Sequence, residues 1–143
     1  MEKSEEKNNE IQQETQILMS RMVSFGNACK LSLEAREHGK KVVFTSCSYD
    51  ILHTAHLHYL QHLKSKGNLL IVGVDSNAGV KKLKGEEHPF FDEVDRAMVV
   101  ANIRSVDYVF IYDGVWQVEH LLKLKPHCVG LPPFDPNFEN KME

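Results

Sequence analysis

The sequence predicts an α/β protein, a Rossmann-like three-layer sandwich in which a parallel sheet is covered by helices on both faces. Three observations lead there. Strand-like and helix-like segments alternate along the chain. The strand-like segments Lys41–Thr45, Leu69–Val74 and Val106–Tyr112 carry unbroken apolar runs, where a sheet with one wet face would show alternation. The length, 143 residues, suits a single core.

Taken in order, residues 1–10 are almost wholly charged or polar and are expected to be a disordered tail, having nothing to bury. From Ile11 the pattern changes. Ile11, Thr15, Leu18, Met22 and Phe25 recur at alternating spacings of four and three, as on one face of a helix. Two heptads fall short of a coiled coil, so residues 11–38 are read as an N-terminal helical segment that packs on the domain or on a partner subunit. Leu31–His38 is helical in pattern, with Gly39 as its C-terminal cap. The domain proper spans 39–143. Lys41–Thr45 is the first strand, and Ser46–Asp50 a polar turn. A helix carrying Leu57, Leu60 and Leu63 follows and closes at Gly67. Leu69–Val74 is the second strand. Asp75–His88, with Lys81, Lys82 and Lys84, reads as loop. Asp92 caps a helix running to about Arg104, and Val106–Tyr112 is the third strand. Gln117–Leu124 is the last helix, and Cys128–Leu131 a short fourth strand.

Composition narrows the class. A formal net charge of −3 lacks the basic footprint of a nucleic-acid binder. The apolar runs are too short to span a bilayer, and the N-terminus has no signal-peptide pattern. Cys29, Cys47 and Cys128 are odd in number and widely spaced, which argues against a disulfide framework and for a reducing, cytoplasmic setting.

The segment richest in chemistry is Thr45-Ser-Cys-Ser-Tyr-Asp-Ile-Leu-His-Thr-Ala-His56, where the first strand gives way to a helix. In parallel sheets, ligands sit beyond the carboxyl ends of the strands. The start of a helix offers backbone N–H groups and a positive dipole end to phosphate. His53 and His56, three apart, share one face of that helix and can add imidazole donors. The spacing alone leaves other readings open. Two histidines three apart are more often plain surface residues. His58 and His62 add an i, i+4 pair, but a metal site needs further ligands that the sequence does not present. His58 and His62 are read as solvated, Tyr49 as core packing, and Cys47 as a small buried residue without an activating base.

Cys47-Ser-Tyr49-Asp50-Ile-Leu-His53-Thr-Ala55-His56 resembles the G-x-F-D-x-x-H-x-G-H signature of the cytidylyltransferase-like nucleotidyltransferase family. Leu69–Ser76, Lys84-Gly85, Asp95-Arg96 and Ile103–Val109 continue the likeness in order, over about residues 39–130. Within the family, Gly39–Thr45 and Arg104–Val109 are most similar to adenylyltransferases acting on heptose 1-phosphate. The resemblance implies a transferase that passes AMP or CMP from ATP or CTP, with Mg²⁺, to a sugar- or polyol-phosphate and releases pyrophosphate. It implies that His53 and His56 contact the triphosphate at its α-phosphorus. Ser48, Tyr49 and Asp50 would shape the nucleotide pocket, Lys84 would reach an incoming phosphate, and Arg96 would face the cleft and bind phosphate or pyrophosphate. Relatives of this type are commonly homodimers, and the Ile11–Phe25 stripe is the interface expected here. The chain departs from the pattern at Cys47 and Ala55, which stand where the family has glycine, and at His88, which stands for a loop arginine. No Lys-Gly-Gly-Asp-type segment follows Gly130. A different class of reading therefore stands beside the enzyme: a catalytically weak relative that binds a nucleotide or a protein.

Overall fold

The computed structural model describes residues 1–113 and 118–131. Gln117 and the segment after Leu131, both used above, lie outside the described residues. Four strands, β1 (Val42–Cys47), β2 (Leu69–Asp75), β3 (Tyr108–Tyr112) and β4 (Cys128–Gly130), pair in parallel in the order β3-β2-β1-β4. Val42 lies opposite Leu69 and Cys47 opposite Val74, so the carboxyl ends of β1 and β2 finish level. The chain winds outward from β1 through β2 to β3, then returns to set β4 on the other flank of β1. The carboxyl end of β1 is thus at the switch point, where open α/β sheets hold their ligands.

The unbroken apolar runs are explained by two cores. One face of the sheet carries Val43, Cys47, Leu70, Val72 and Val74 against Leu60 and Leu63 of α3 (Thr54–Lys64) and Ala97 and Val100 of α5 (Glu93–Ala101). The other carries Val42, Phe44, Ile71 and Phe110 against Ala28 and Ala35 of α2 (Phe25–Glu37) and Leu124 of α6 (Val118–Leu124). Successive strand residues point to opposite faces, so every residue of β1 is buried. Each buried Val, Leu or Ile contributes about 1.5–3 kcal/mol. The expected three-layer sandwich is the fold.

Local differences have local causes. Where a disordered tail was expected over residues 1–10, helix α1 (Glu2–Leu18) forms, although none of its residues is buried. Glu, Gln and Lys are strong helix formers, and Glu2 and Glu5 complement the dipole in the first turn. The Ile11–Phe25 stripe is not one helical face. The chain turns after Leu18, Val23 N–H donates to Val109 O and Val109 N–H to Arg21 O, and Met22 bridges Val109 beside β3. Ser24 then accepts from Asn27 N–H and starts α2 six residues earlier than the sequence suggested. Gly39 closes α2 at φ 72°, a left-handed conformation that favours glycine. Residues 77–84, expected to be loop, form α4 (Asn77–Lys84). Ser76 Oγ accepts from Gly79 N–H, Gly79 and Val80 are buried, and the lysines gather in the last turn, where cations suit the dipole. No helix among the described residues is long and apolar enough to cross a membrane.

Candidate active site

Strand β1 delivers the chain to the sheet edge at Cys47, and the turn that follows is tightly held. Tyr49 has φ 51°, a left-handed conformation costing roughly 1–2 kcal/mol for a residue with a side chain. Its ring is buried, 2% exposed, which keeps it there. Ser48 Oγ accepts from Lys84 Nζ at 2.7 Å, bringing the end of α4 to the turn. Gly85, at φ 100°, then carries the chain away from Lys84. The Asp50 carboxylate accepts from Phe90 N–H at 2.8 Å and Phe91 N–H at 3.0 Å. Asp50 therefore fixes the 88–91 loop over the turn.

The two histidines cap α3 reciprocally. His53 is the N-cap, its Nδ1 accepting from Ala55 N–H at 3.2 Å, and His56 Nδ1 accepts from His53 N–H at 3.2 Å. With both Nδ1 atoms used as acceptors, the neutral tautomer carries its proton on Nε2 in each ring. The rings meet edge to face, their centroids 4.5 Å apart, and the Tyr49 ring lies 6.0 Å from that of His56. His53 is exposed and His56 is buried. Burial, and then the positive charges of His53 and Lys84, hold the His56 imidazole below its ordinary range, against an opposing hydrogen bond from the His53 backbone.

That shift makes a prediction. A histidine harder to protonate when folded stabilises the protein fully above the unfolded value of about 6.5, and its contribution is lost as pH falls below it. Between pH 7 and 5.5 the urea midpoint should fall more steeply for the parent than for His56→Gln, since glutamine keeps the cap but does not titrate. Parallel pH profiles would show that His56 titrates normally.

Ser48, Asp50, His53, His56, Lys84 and His88 line one cleft of about 230 Å³ at the carboxyl edge of the sheet. Among the described residues three imidazoles and an ammonium line it, and the one carboxylate, Asp50, accepts from backbone N–H groups. Such donors, with the opening of α3 adding to the field, are chemically suited to phosphoryl oxygens. No cluster of three acidic, histidine or cysteine ligands occurs among the described residues.

The structure thus brings together Ser48, Tyr49, Asp50, His53, His56 and Lys84, all placed in the site on sequence grounds. Arg96 is different. It is 2% exposed and does not line this cleft. Its guanidinium donates from Nε to Phe91 O at 2.9 Å, from Nη1 to Ser48 O at 2.5 Å and from Nη2 to Asn77 Oδ1 at 3.0 Å. The sequence reading had it facing phosphate; its forks are taken by protein acceptors. Asn77 was missed, since nothing in the sequence marks an asparagine at a helix start as a partner for a residue nineteen positions on. His58 and His62 are exposed, as expected. Ala55 is exposed and not among the lining residues, whereas Cys47 is.

Fold and site together define a parallel α/β domain with a cleft lined by imidazoles and a lysine at the carboxyl end of its first strand. The chain belongs to the cytidylyltransferase-like family, whose model matches residues 44–129. It is 41% identical over 110 residues to the bifunctional protein HldE of Aliarcobacter butzleri, covering 77% of this chain and 23% of that protein. The HldE of Wolinella succinogenes is 40% identical over 106 residues, covering 74% of this chain and 22% of that one. The chain therefore spans about a quarter of the length of these relatives. Among solved structures, the lipopolysaccharide core biosynthesis protein from Thermoplasma volcanium GSS1 superposes with a TM-score of 0.61 at 27% identity, over 73% of this chain and 84% of that one.

Proposed function

We propose that the domain is a nucleotidyltransferase that moves AMP or CMP from a nucleoside triphosphate to a sugar- or polyol-phosphate and releases pyrophosphate. One observation carries the reading: reciprocal capping through Nδ1 sets the Nε2–H tautomer of both His53 and His56, and both rings line a single cleft with Lys84. Membership of the family and the likeness to HldE supply the reaction class.

In this reading an acceptor phosphate oxygen attacks the α-phosphorus, and the bond from that phosphorus to the bridging oxygen of the β-phosphate breaks. Pyrophosphate leaves with the bonding pair, and no covalent enzyme intermediate is needed. Mg²⁺ enters with the triphosphate as part of the substrate. His53 and His56 place hydrogen bonds where charge grows, the preorganised donors that lower such barriers. His56, which burial makes harder to protonate, still donates from Nε2–H as the neutral imidazole. Lys84, placed by its bond to Ser48 Oγ, acts as a point charge on phosphate with its other donors. Ser48, Tyr49 and Asp50 give the cleft its shape.

Cys47 and Ala55, at positions where the family has glycine, favour a second reading in which nucleotide or protein is bound without turnover. A pyrophosphate-release screen with ATP and CTP against phosphorylated sugars and polyols, run beside thermal shift with each Mg²⁺–triphosphate, separates the two. Release together with a raised Tm is the expected result. A raised Tm without release would leave the binding module, and neither would remove the nucleotide from both.

A further inference from the structure

Outside the donors and acceptors just described, the most unusual group in the molecule is a buried cation. Arg96 is 2% exposed, and removing a guanidinium from water is costly unless its donors are satisfied with good geometry. Its planar fork meets three acceptors that belong to three different segments. Phe91 O lies in the loop before α5, Ser48 O in the turn after β1, and Asn77 Oδ1 in the first residue of α4. Asp50, Asp75, Glu93 and Asp92 surround it with negative charge.

Asn77 is itself held in a fixed orientation. Its side-chain NH₂ donates to Asp92 Oδ1 at 2.8 Å and its backbone N–H to Glu93 Oε1 at 3.1 Å, so that Oδ1 is turned to Arg96. Asn77 opens the eight-residue helix that Lys84 closes, a span of roughly 12 Å at 1.5 Å per residue. From that far end Lys84 Nζ returns to Ser48 Oγ at 2.7 Å. The contacts form a closed circuit: Arg96 to Ser48, Ser48 to Lys84, Lys84 along α4 to Asn77, and Asn77 back to Arg96. Two of its members, Ser48 and Lys84, line the cleft, and two, Arg96 and Asn77, do not.

We propose that Arg96 and Asn77 are positioning residues that hold α4, and with it Lys84, at a set distance from the Ser48–Asp50 turn, so that Lys84 stands ready for a phosphate without having to be ordered by it. The inference rests on the nucleotide reading only for what Lys84 touches; the circuit itself is independent of any ligand. Ordering a lysine in advance removes a rotamer cost that the ligand would otherwise bear. A lysine at 96 would not serve, because a point charge cannot reach three acceptors in one plane.

The test uses the full chain with Asn77→Ala, which removes one acceptor and leaves the buried cation its other two, and Asn77→Gln, which keeps both an amide oxygen and an NH₂ donor. Binding of Mg²⁺–ATP and Mg²⁺–CTP is measured by calorimetry for each, in the parent and in a Lys84→Met background. Hydrogen exchange of the Phe90 and Phe91 amides is followed in the same proteins. Expected are an approximately 10-fold weaker triphosphate affinity for Asn77→Ala, at least partial recovery in Asn77→Gln, and no further loss when Lys84 is already Met. Protection at Phe90 and Phe91 should drop while the β2 amides keep theirs. An equal loss in both backgrounds, or unchanged protection, overturns the proposal. Should the parent bind no triphosphate, the nucleotide reading fails alone, and the exchange measurement decides the circuit: lost protection upholds it and unchanged protection overturns it.

Discussion

His56→Ala is expected to lower turnover by about 10²–10³-fold, the usual effect of removing one preorganised donor to a charge-building transition state. The imidazole is 7% exposed, and its Nδ1 is held by the His53 backbone, so Nε2–H has little freedom of direction. His53, whose Nδ1 accepts from Ala55 N–H, supplies its own donor and does not stand at the position of His56. The fold should survive. Loss of the reciprocal cap costs about 1 kcal/mol, small against the stability of a domain. Pyrophosphate-release kinetics at saturating triphosphate, with circular dichroism of the same preparation, check both halves. Full activity in a folded His56→Ala protein would make the pair a helix cap and nothing more.

The second large effect is on stability. Arg96→Met should destabilise the protein by about 3–5 kcal/mol, the range for removing one side of a buried charged network. Methionine fills much of the volume, but Ser48 O, Phe91 O and Asn77 Oδ1 each lose their donor, and the carboxylates of Asp50 and Asp75 lose the positive charge between them. The left-handed Tyr49 follows Ser48 directly, so the strained turn loses a restraint where it needs one. Urea denaturation at neutral pH provides the measurement, with the parent run in parallel. An exposed phosphate-binding arginine would behave differently: its removal would leave stability within about 0.5 kcal/mol and act on affinity alone. That outcome would restore the role which the sequence suggested.

Much of the architecture was legible because burial writes itself into strands. Val42–Phe44, Leu69–Val74 and Val109–Ile111 had to be covered on both faces, and they are. The two histidines were legible as well, because helix geometry puts residues three apart on one face whatever surrounds them. Helix α4 was not read. Lys81, Lys82 and Lys84 with Gly79 give a loop-like composition, and the helix depends on the Ser76 cap and on burying Gly79 and Val80 against the sheet. The first half of α1, residues 2–10, was not legible either, because it buries nothing and rests on local helix propensity.

By itself the sequence determined the sheet, the place of the turn between β1 and α3, and which side chains could meet a phosphate there. Those are short-range properties: periodicity, capping and apolar runs act within a few residues. Only the tertiary structure decided what each charge faces. Asp50 turned to the Phe90 and Phe91 amides, Lys84 reached Ser48 across thirty-six positions, and Arg96 went inward to Ser48 across forty-eight. A charged side chain carries no local sign of its partner, because the partner is chosen by the packing of elements distant in sequence. The same arginine reads as a surface ligand in one dimension and becomes a buried brace in three.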